Sequence, residues 1–262
     1  MAEVIAMPQQ AHVAVPEVRK ITIDDLFEAL GQGWRDFQAA PTQLIFLAVI
    51  YPVIGALAAR AAWGGDLMTL FFPLVSGFAL LGPILAHGIY ELSRRREQGM
   101  EVSALDALSV RHSAALPSIA ALGLLLVVVF IAWLVAARVI LHGTLGSLPF
   151  AHPMEFLGRV FGTTEGWTLI VVGNLVGAVF AAFVLAITVV SFPLLLDRNP
   201  GVGVAVRTSL RAVAANPVVM TAWGAIIAAL LIAGSATLFV GLAIAMPVLG
   251  HATWHLYRRL VV

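Results

Sequence analysis

The sequence contains no cysteine and few charged residues. Of its 262 residues none is Cys, and only 11% are Asp, Glu, Lys or Arg. The absence of cysteine excludes disulfides, thiolate metal ligands and cysteine nucleophiles. No nucleotide-binding glycine-rich loop, HExxH sequence, nucleophile elbow or pair of mid-membrane carboxylates is present, which argues against an ATPase, a metalloprotease, a hydrolase and an obvious proton relay. A formal net charge of only +1 gives no reason to expect nucleic acid as a partner.

Hydrophobic residues fill most of the chain instead. They make up 61% of it, and the mean hydropathy is +0.98, whereas soluble proteins are about half apolar and a quarter charged. Apolar runs of roughly 20 residues are long enough to cross the hydrocarbon core of a bilayer as helices. The sequence therefore predicts an all-α membrane protein with six transmembrane helices in three hairpins, at about 42–63, 67–92, 117–141, 167–196, 218–234 and a sixth ending at Arg258 and Arg259.

An amphipathic helix is predicted before each hairpin, and a proline opens the hairpin that follows. In the first, apolar residues at Ile23, Leu26, Phe27, Leu30, Trp34 and Phe37 recur at helical spacing, with Asp24, Asp25, Glu28, Arg35 and Asp36 on the other positions. Such helices lie in the membrane interface. The predicted starts are capping boxes at Thr22 with Asp25 and at Ser103 with Asp106, and an N-cap at Asn199 followed by Pro200. The hairpins open at Pro41, Pro117 and Pro217.

The ends of the first and third hairpins share one spacing. Gly77 to Arg95 and Gly241 to Arg259 both read Gly-x5-Pro-x3-His-x6-Arg-Arg. The middle copy diverges, because Pro193 is followed four residues later by Asp197 instead of His and the basic pair is missing. We therefore predict a flexible cytoplasmic tail at 1–21 and a single six-span membrane domain at 22–262, with repeat units at about 22–96, 101–198 and 199–260.

The positive charges predict the orientation. Twelve of the fifteen Lys and Arg residues fall on the side of the tail, the amphipathic helices and the C-terminus, and Arg60, Arg138 and Arg159 fall opposite. By the positive-inside rule, we expect a multi-pass protein of the bacterial inner membrane with both termini in the cytoplasm.

His87 and His251 are candidate functional residues inside predicted spans. Each lies seven residues before an arginine pair, roughly 10 Å inside the boundary. They could form hydrogen bonds to neighbouring helices or to carbonyls freed by proline. Alternatively, a polar site shared by the second and sixth spans would include His87, Glu91, His251, His255 and Asp197. A third alternative, haem or metal binding at His87 and His251, rests on i,i+4 pairs that are common by chance; no cofactor is expected.

Six arginines are candidates for binding lipid headgroups or other anions, namely Arg94, Arg95, Arg207, Arg211, Arg258 and Arg259. Around Asp197, Arg198 and Asn199 the same charges could instead serve as helix caps and interfacial charge. Within the fourth span, Asn174 is predicted to make a helix-to-helix hydrogen bond, and Gly173 and Gly177 have GxxxG spacing.

The C-terminal unit carries a resemblance to a known family. SLRAVAANP followed by PVLGHATWHLYRRL resembles domain-of-unknown-function family 2189 of bacterial integral membrane proteins, over nearly the whole chain. The resemblance implies a six-span inner-membrane protein without an established activity. Some members are labelled cytochrome c oxidase subunit I, but six spans and so few membrane histidines do not fit that enzyme.

These observations favour a non-enzymatic module that interacts with lipids or proteins in the membrane. The expected partners are membrane lipids, with another membrane protein complex as an alternative. Two further hypotheses stay open: a small-molecule transporter that uses the second and sixth spans, and a haem- or metal-binding protein linked to respiratory complexes.

Overall fold

The chain folds into a bundle of helices. The computed structural model describes residues 16–62, 66–146 and 153–262. Most of the predicted tail, the predicted turn at Gly64 and Gly65, and the loop around Pro149 lie outside them. The α-helices are α1 Ile23–Ala39, α2 Gln43–Ala62, α3 Asp66–Phe78, α4 Gly82–Leu85, α5 His87–Glu97, α6 Leu116–Leu145, α7 Pro153–Gly162, α8 Thr164–Thr188, α9 Ser191–Arg198, α10 Val202–Ala215, α11 Pro217–Ala236 and α12 Leu242–Leu260.

Four helical stretches among the described residues are long and apolar enough to cross a membrane. They are Thr69–Glu97, Leu116–Leu145, Thr164–Arg198 and Pro217–Ala236. The prediction of a helical membrane protein is thus confirmed at this level. The predicted sixth span corresponds to α12, whose second half carries His251, His255 and two arginines and is for that reason less apolar.

The first amphipathic helix begins at the predicted cap. The Thr22 side chain accepts a hydrogen bond from the Asp25 N–H, and the Asp25 carboxylate accepts one from the Thr22 N–H. The packing face differs from the predicted one, however. Leu26, Ala29, Gly33, Asp36 and Phe37 are buried, whereas Ile23, Phe27 and Trp34 are 37%, 59% and 45% exposed.

Two further predicted starts have different outcomes. Only half of the predicted capping box at Ser103 forms: the Asp106 carboxylate accepts hydrogen bonds from the Ser103 N–H and hydroxyl, but the Asp106 N–H donates to the Ser103 carbonyl. The element that follows is a 3-10 helix, Ala104–His112. The predicted N-cap at Asn199 is wrong. Asn199 adopts a left-handed conformation with φ 44° and ends α9, and α10 begins at Val202 after Gly201. Asn is one of the few residues that tolerate this conformation, so it terminates a helix instead of starting one.

Proline has different effects in the two matched helix ends. The second predicted span is divided into α3, a 3-10 turn at Ala79–Leu81, α4 and α5, with Pro83 in the first turn of α4. In α12 the matching Pro247 lies inside one continuous helix. The spacing of the two segments is therefore the same, but their backbones are not.

The 3-10 helix and α10 each pack on helices that precede them in the chain, and α1 packs on the last helix. The 3-10 helix Ala104–His112 contacts α5, α10 contacts α8 and α9, and α1 packs along α12, so the first described helix covers the last. Next to the α1–α12 contact, α5, α9 and α12 touch one another. All three carry arginine in their last turn, at Arg94–Arg96, Arg198 and Arg258–Arg259. We call this part of the bundle the arginine end.

Candidate functional site

A buried carboxylate lies at the arginine end, where α1 meets α5 and α12. Asp36 is 6% exposed. Its Oδ2 accepts a hydrogen bond of 2.7 Å from Ser93 Oγ and lies 2.7 Å from His255 Nε2, and its Oδ1 is 3.1 Å from Arg96 Nε. Together with His251, these residues form what we call the Asp36 cluster.

The cluster holds Asp36 in its charged form. Burial alone would raise the pKa of the Asp36 carboxyl, but hydrogen bonds from His255 and Ser93 and the nearby imidazoles outweigh it, so the pKa lies below its ordinary value. The charged carboxylate is thus the state that fits the packed structure.

His251 is oriented by the same cluster. Its Nδ1 lies 2.7 Å from Ser93 Oγ and 3.9 Å from Asp36 Oδ2. Because a carboxylate can only accept, Ser93 donates its proton to Asp36 and its oxygen accepts from the His251 Nδ1–H. The Nε2 atom of His251 then carries a lone pair. This atom is fully buried and has no hydrogen-bond partner among the described residues.

His87 lies in a different environment. Its side chain is buried, and neither ring nitrogen has a hydrogen-bond partner within the described part of the chain. The ring meets Tyr90 and Phe192 edge-on, each at a centroid distance of 6.2 Å. His87 therefore faces aromatic side chains, and no hydrogen bond or ion pair within the described residues links it to the Asp36 cluster. Glu91, one turn later, binds Arg94 and Arg95 instead of His87.

Asp197 is hydrogen-bonded at the same end of the bundle. The Tyr257 hydroxyl donates to Asp197 Oδ2 at 2.6 Å, and Arg198 and Arg258 each lie 3.4 Å from that oxygen. Asp197 thus joins α9 to α12 and does not contact His87 or His251 directly. The described residues contain no group of three or more His, Cys, Asp or Glu that could hold a metal ion.

The candidate arginines fall into two groups. Four of them are held by carboxylates: Arg94 and Arg95 by Glu91, with Asp106 also on Arg95; Arg258 by Glu97 and Asp197; and Arg259 by Asp25 and Glu28. Arg207 and Arg211 on α10 are exposed and have no ion-pair or hydrogen-bond partner among the described residues. Among the six candidates, only this second group lacks a carboxylate partner in the described part of the chain.

Sequence reasoning missed Asp36, Ser93 and Arg96 as parts of a site. Asp36 was placed on the polar positions of α1. Its spacing from Leu26, Ala29 and Gly33, at i+10, i+7 and i+3, could have revealed that it shares their face. Its partners could not be found in this way, since Ser93 and His255 are 57 and 219 residues away.

Comparison with known proteins supports the membrane assignment. Residues 71–197, slightly less than half of the chain, match the family model of the predicted integral membrane proteins DUF2189. The match confirms the resemblance, but it ends before the C-terminal stretch that first indicated it. No curated protein and no solved structure matches the chain.

Proposed function

We propose that this protein is a non-enzymatic, six-span module of the bacterial inner membrane that binds anionic lipid headgroups through α10. The observation that carries the proposal is the contrast between the two groups of arginines. Arg207 and Arg211 project from α10 without a carboxylate partner in the described structure, whereas the other four candidates are neutralised within the protein.

The composition of α10 supports this assignment. The helix has two arginines and no acidic residue. The other long amphipathic helix, α1, has four acidic residues and a single arginine. Leu210 lies between Arg207 and Arg211 and is 44% exposed. A cationic face with an apolar anchor is the pattern of a helix that lies on an anionic membrane surface.

Six spans and cytoplasmic termini complete the proposal. In addition to the four apolar stretches, α2 and α12 would cross the membrane, and contacts of α2 with α3 and α12 support their place in the bundle. The packing of the short elements on the preceding helices supports three repeat units. The arginine end would then face the cytoplasm.

The lipid proposal predicts a loss of selectivity when the charge of α10 is removed. In vesicles of equal parts phosphatidylglycerol and phosphatidylcholine, Arg207→Gln with Arg211→Gln should lower the ratio of retained anionic to zwitterionic lipid about thirtyfold, since each of the two cations contributes about 1 kcal/mol near the surface. Native mass spectrometry of the gently extracted protein measures this ratio.

A charge-matched control separates a site from general attraction. Lys20→Gln with Arg35→Gln removes two exposed, unpaired cations elsewhere in the described chain. This pair should leave the ratio nearly unchanged. An equal loss in both double variants would argue against a site on α10, and a tightly bound protein partner in place of lipid would favour the protein-binding alternative.

A second candidate function, a small-molecule permease, is favoured by the buried lone pair on His251 Nε2. An acceptor of fixed orientation inside a bundle suits a solute that donates a hydrogen bond. If the protein transports such solutes, His251→Phe should slow their uptake about tenfold, because the ring is kept and the one hydrogen-bond acceptor is lost.

Uptake of labelled amino acids and polyols by reconstituted vesicles would measure this effect. Asp24→Asn, at an exposed position on α1, is the control and should not change the rate. Equal rates for the His251 variant and the unaltered protein would remove the permease site.

A further inference from the structure

An exposed seam runs along α8. Trp167, Val171, Asn174, Ala178 and Ala181 are all exposed and follow one another at i, i+4, i+7, i+11 and i+14. Alternate spacings of four and three residues place them on one face of the helix, the face that a partner helix contacts in a left-handed crossing. The neighbouring face is already occupied, since Gly177 packs against Trp133 of α6.

A polar amide lies in the middle of this seam. Asn174 is the eleventh residue of α8, roughly 15 Å along the apolar stretch Thr164–Arg198, so it lies in the part of the helix that would cross the hydrocarbon core. Its Nδ2 donates to the Ile170 carbonyl at 2.8 Å. The second N–H and the Oδ1 atom have no partner among the described residues. Hydrocarbon offers no hydrogen bonds, so an exposed amide at this depth is costly unless another protein covers it.

We propose that a second copy of this chain packs against the seam and forms a two-fold symmetric dimer. An amide contains both a donor and an acceptor, so two Asn174 side chains related by a two-fold axis satisfy each other. Two copies inserted in the same orientation bring their α8 helices together in parallel. Ala178 and Ala181, one and two turns after Asn174, have small side chains that let the two backbones approach closely. A lipid chain would fill the same surface but could not satisfy the amide.

The absence of native cysteine makes the proposal directly testable. In reconstituted vesicles, Ala178→Cys should form an intermolecular disulfide on mild oxidation, because the residue lies on the seam. Val179→Cys is the control: Val179 is 68% exposed but lies about 100° around the helix from Ala178. We expect it to remain monomeric at the same protein-to-lipid ratio.

A second variant tests the role of the amide. Asn174→Leu in the Ala178→Cys background should lower the dimer fraction about tenfold when protein is dilute in lipid, as expected for the loss of an interhelical amide pair. Cross-linking at Val179→Cys equal to that at Ala178→Cys would indicate random collision. An unchanged dimer fraction in Asn174→Leu, or cross-linking of Ala178→Cys in cells only to a different polypeptide, would also overturn the proposal.

Discussion

Replacement of Asp36 by Ala should destabilise the packing of α1 against α5 and α12 more than any other single loss of charge. Ser93, Arg96 and His255 would each lose a partner within a site where the Asp36 side chain is only 9% exposed. Removal of one member of a buried ion pair costs about 3 to 5 kcal/mol, and we expect the lower end of this range because the side chains of Arg96 and His255 are 32% and 17% exposed. The midpoint of thermal unfolding in a fixed detergent should fall by about 10 °C.

Asp24→Ala is the matched control for this prediction. Asp24 is on the same helix but is exposed, and exposed charges contribute little to stability. If both variants unfold at the same temperature, the Asp36 cluster does not stabilise the α1–α12 contact.

The pH dependence of stability gives a second measure of the same cluster. The pKa of Asp36 in the folded protein lies below its ordinary value of 3.8. The unfolded chain therefore takes up a proton at a higher pH than the folded one. The stabilisation is fully present above pH 4 or so and is lost as the pH falls through the folded pKa. Asp36→Ala should make unfolding less dependent on pH below about 4.

Gly33→Val is expected to separate α1 from α12. A Cβ atom at Gly33 would lie 2.6 Å from the Ala252 nitrogen and 2.8 Å from its Cα. These are backbone atoms that cannot move aside as a flexible side chain can. The two helices must shift apart. The loss of stability should be about 3 kcal/mol, the upper end of the usual range for overpacked cores. Faster proteolysis of α1 and a lower midpoint of thermal unfolding would both show that the contact between α1 and α12 is loosened.

Substitution of a neighbouring glycine, Gly31, should stabilise the protein instead. A Cβ at Gly31 would meet only the Arg35 guanidinium, at 3.8 Å. Gly31→Ala should therefore raise the free energy of unfolding by about 0.5 to 1 kcal/mol, because alanine is the better helix former. Similar losses in both variants would show that Gly33 is sensitive for a reason other than its contact with Ala252.

A local signal predicted the start of α1. The Thr22–Asp25 capping box marks the start of α1 because its bonds join residues three apart, so the pattern is visible in the sequence. The start of α10 could not be predicted in the same way. Asn followed by Pro suits the end of one helix as well as the start of the next, and the left-handed backbone of Asn199 decides between them.

Long-range partners explain what the sequence left open. The apolar residues of α1 fit two faces. The close contact of Gly33 with Ala252 of α12 turns one face inward, and Phe27 and Trp34 stay exposed. The orientation of the His251 ring likewise depends on its hydrogen bond to Ser93, which is 158 residues away in the sequence. Regular spacing identified the two histidines, but their different environments arise from packing between helices.

The two ends of the described chain are joined by backbone hydrogen bonds. The Arg19 N–H donates to the Leu260 carbonyl at 2.8 Å and the Val262 N–H to the Glu17 carbonyl at 3.1 Å, around a bridge between Val18 and Val261. Because α1 also packs on α12, the first and last described helices are neighbours in space. The same contacts would be kept if α1 followed α12 through a short linker and the chain began at α2. The architecture is thus compatible with circular permutation, because the packing between α1 and α12 does not require the chain to begin before α1.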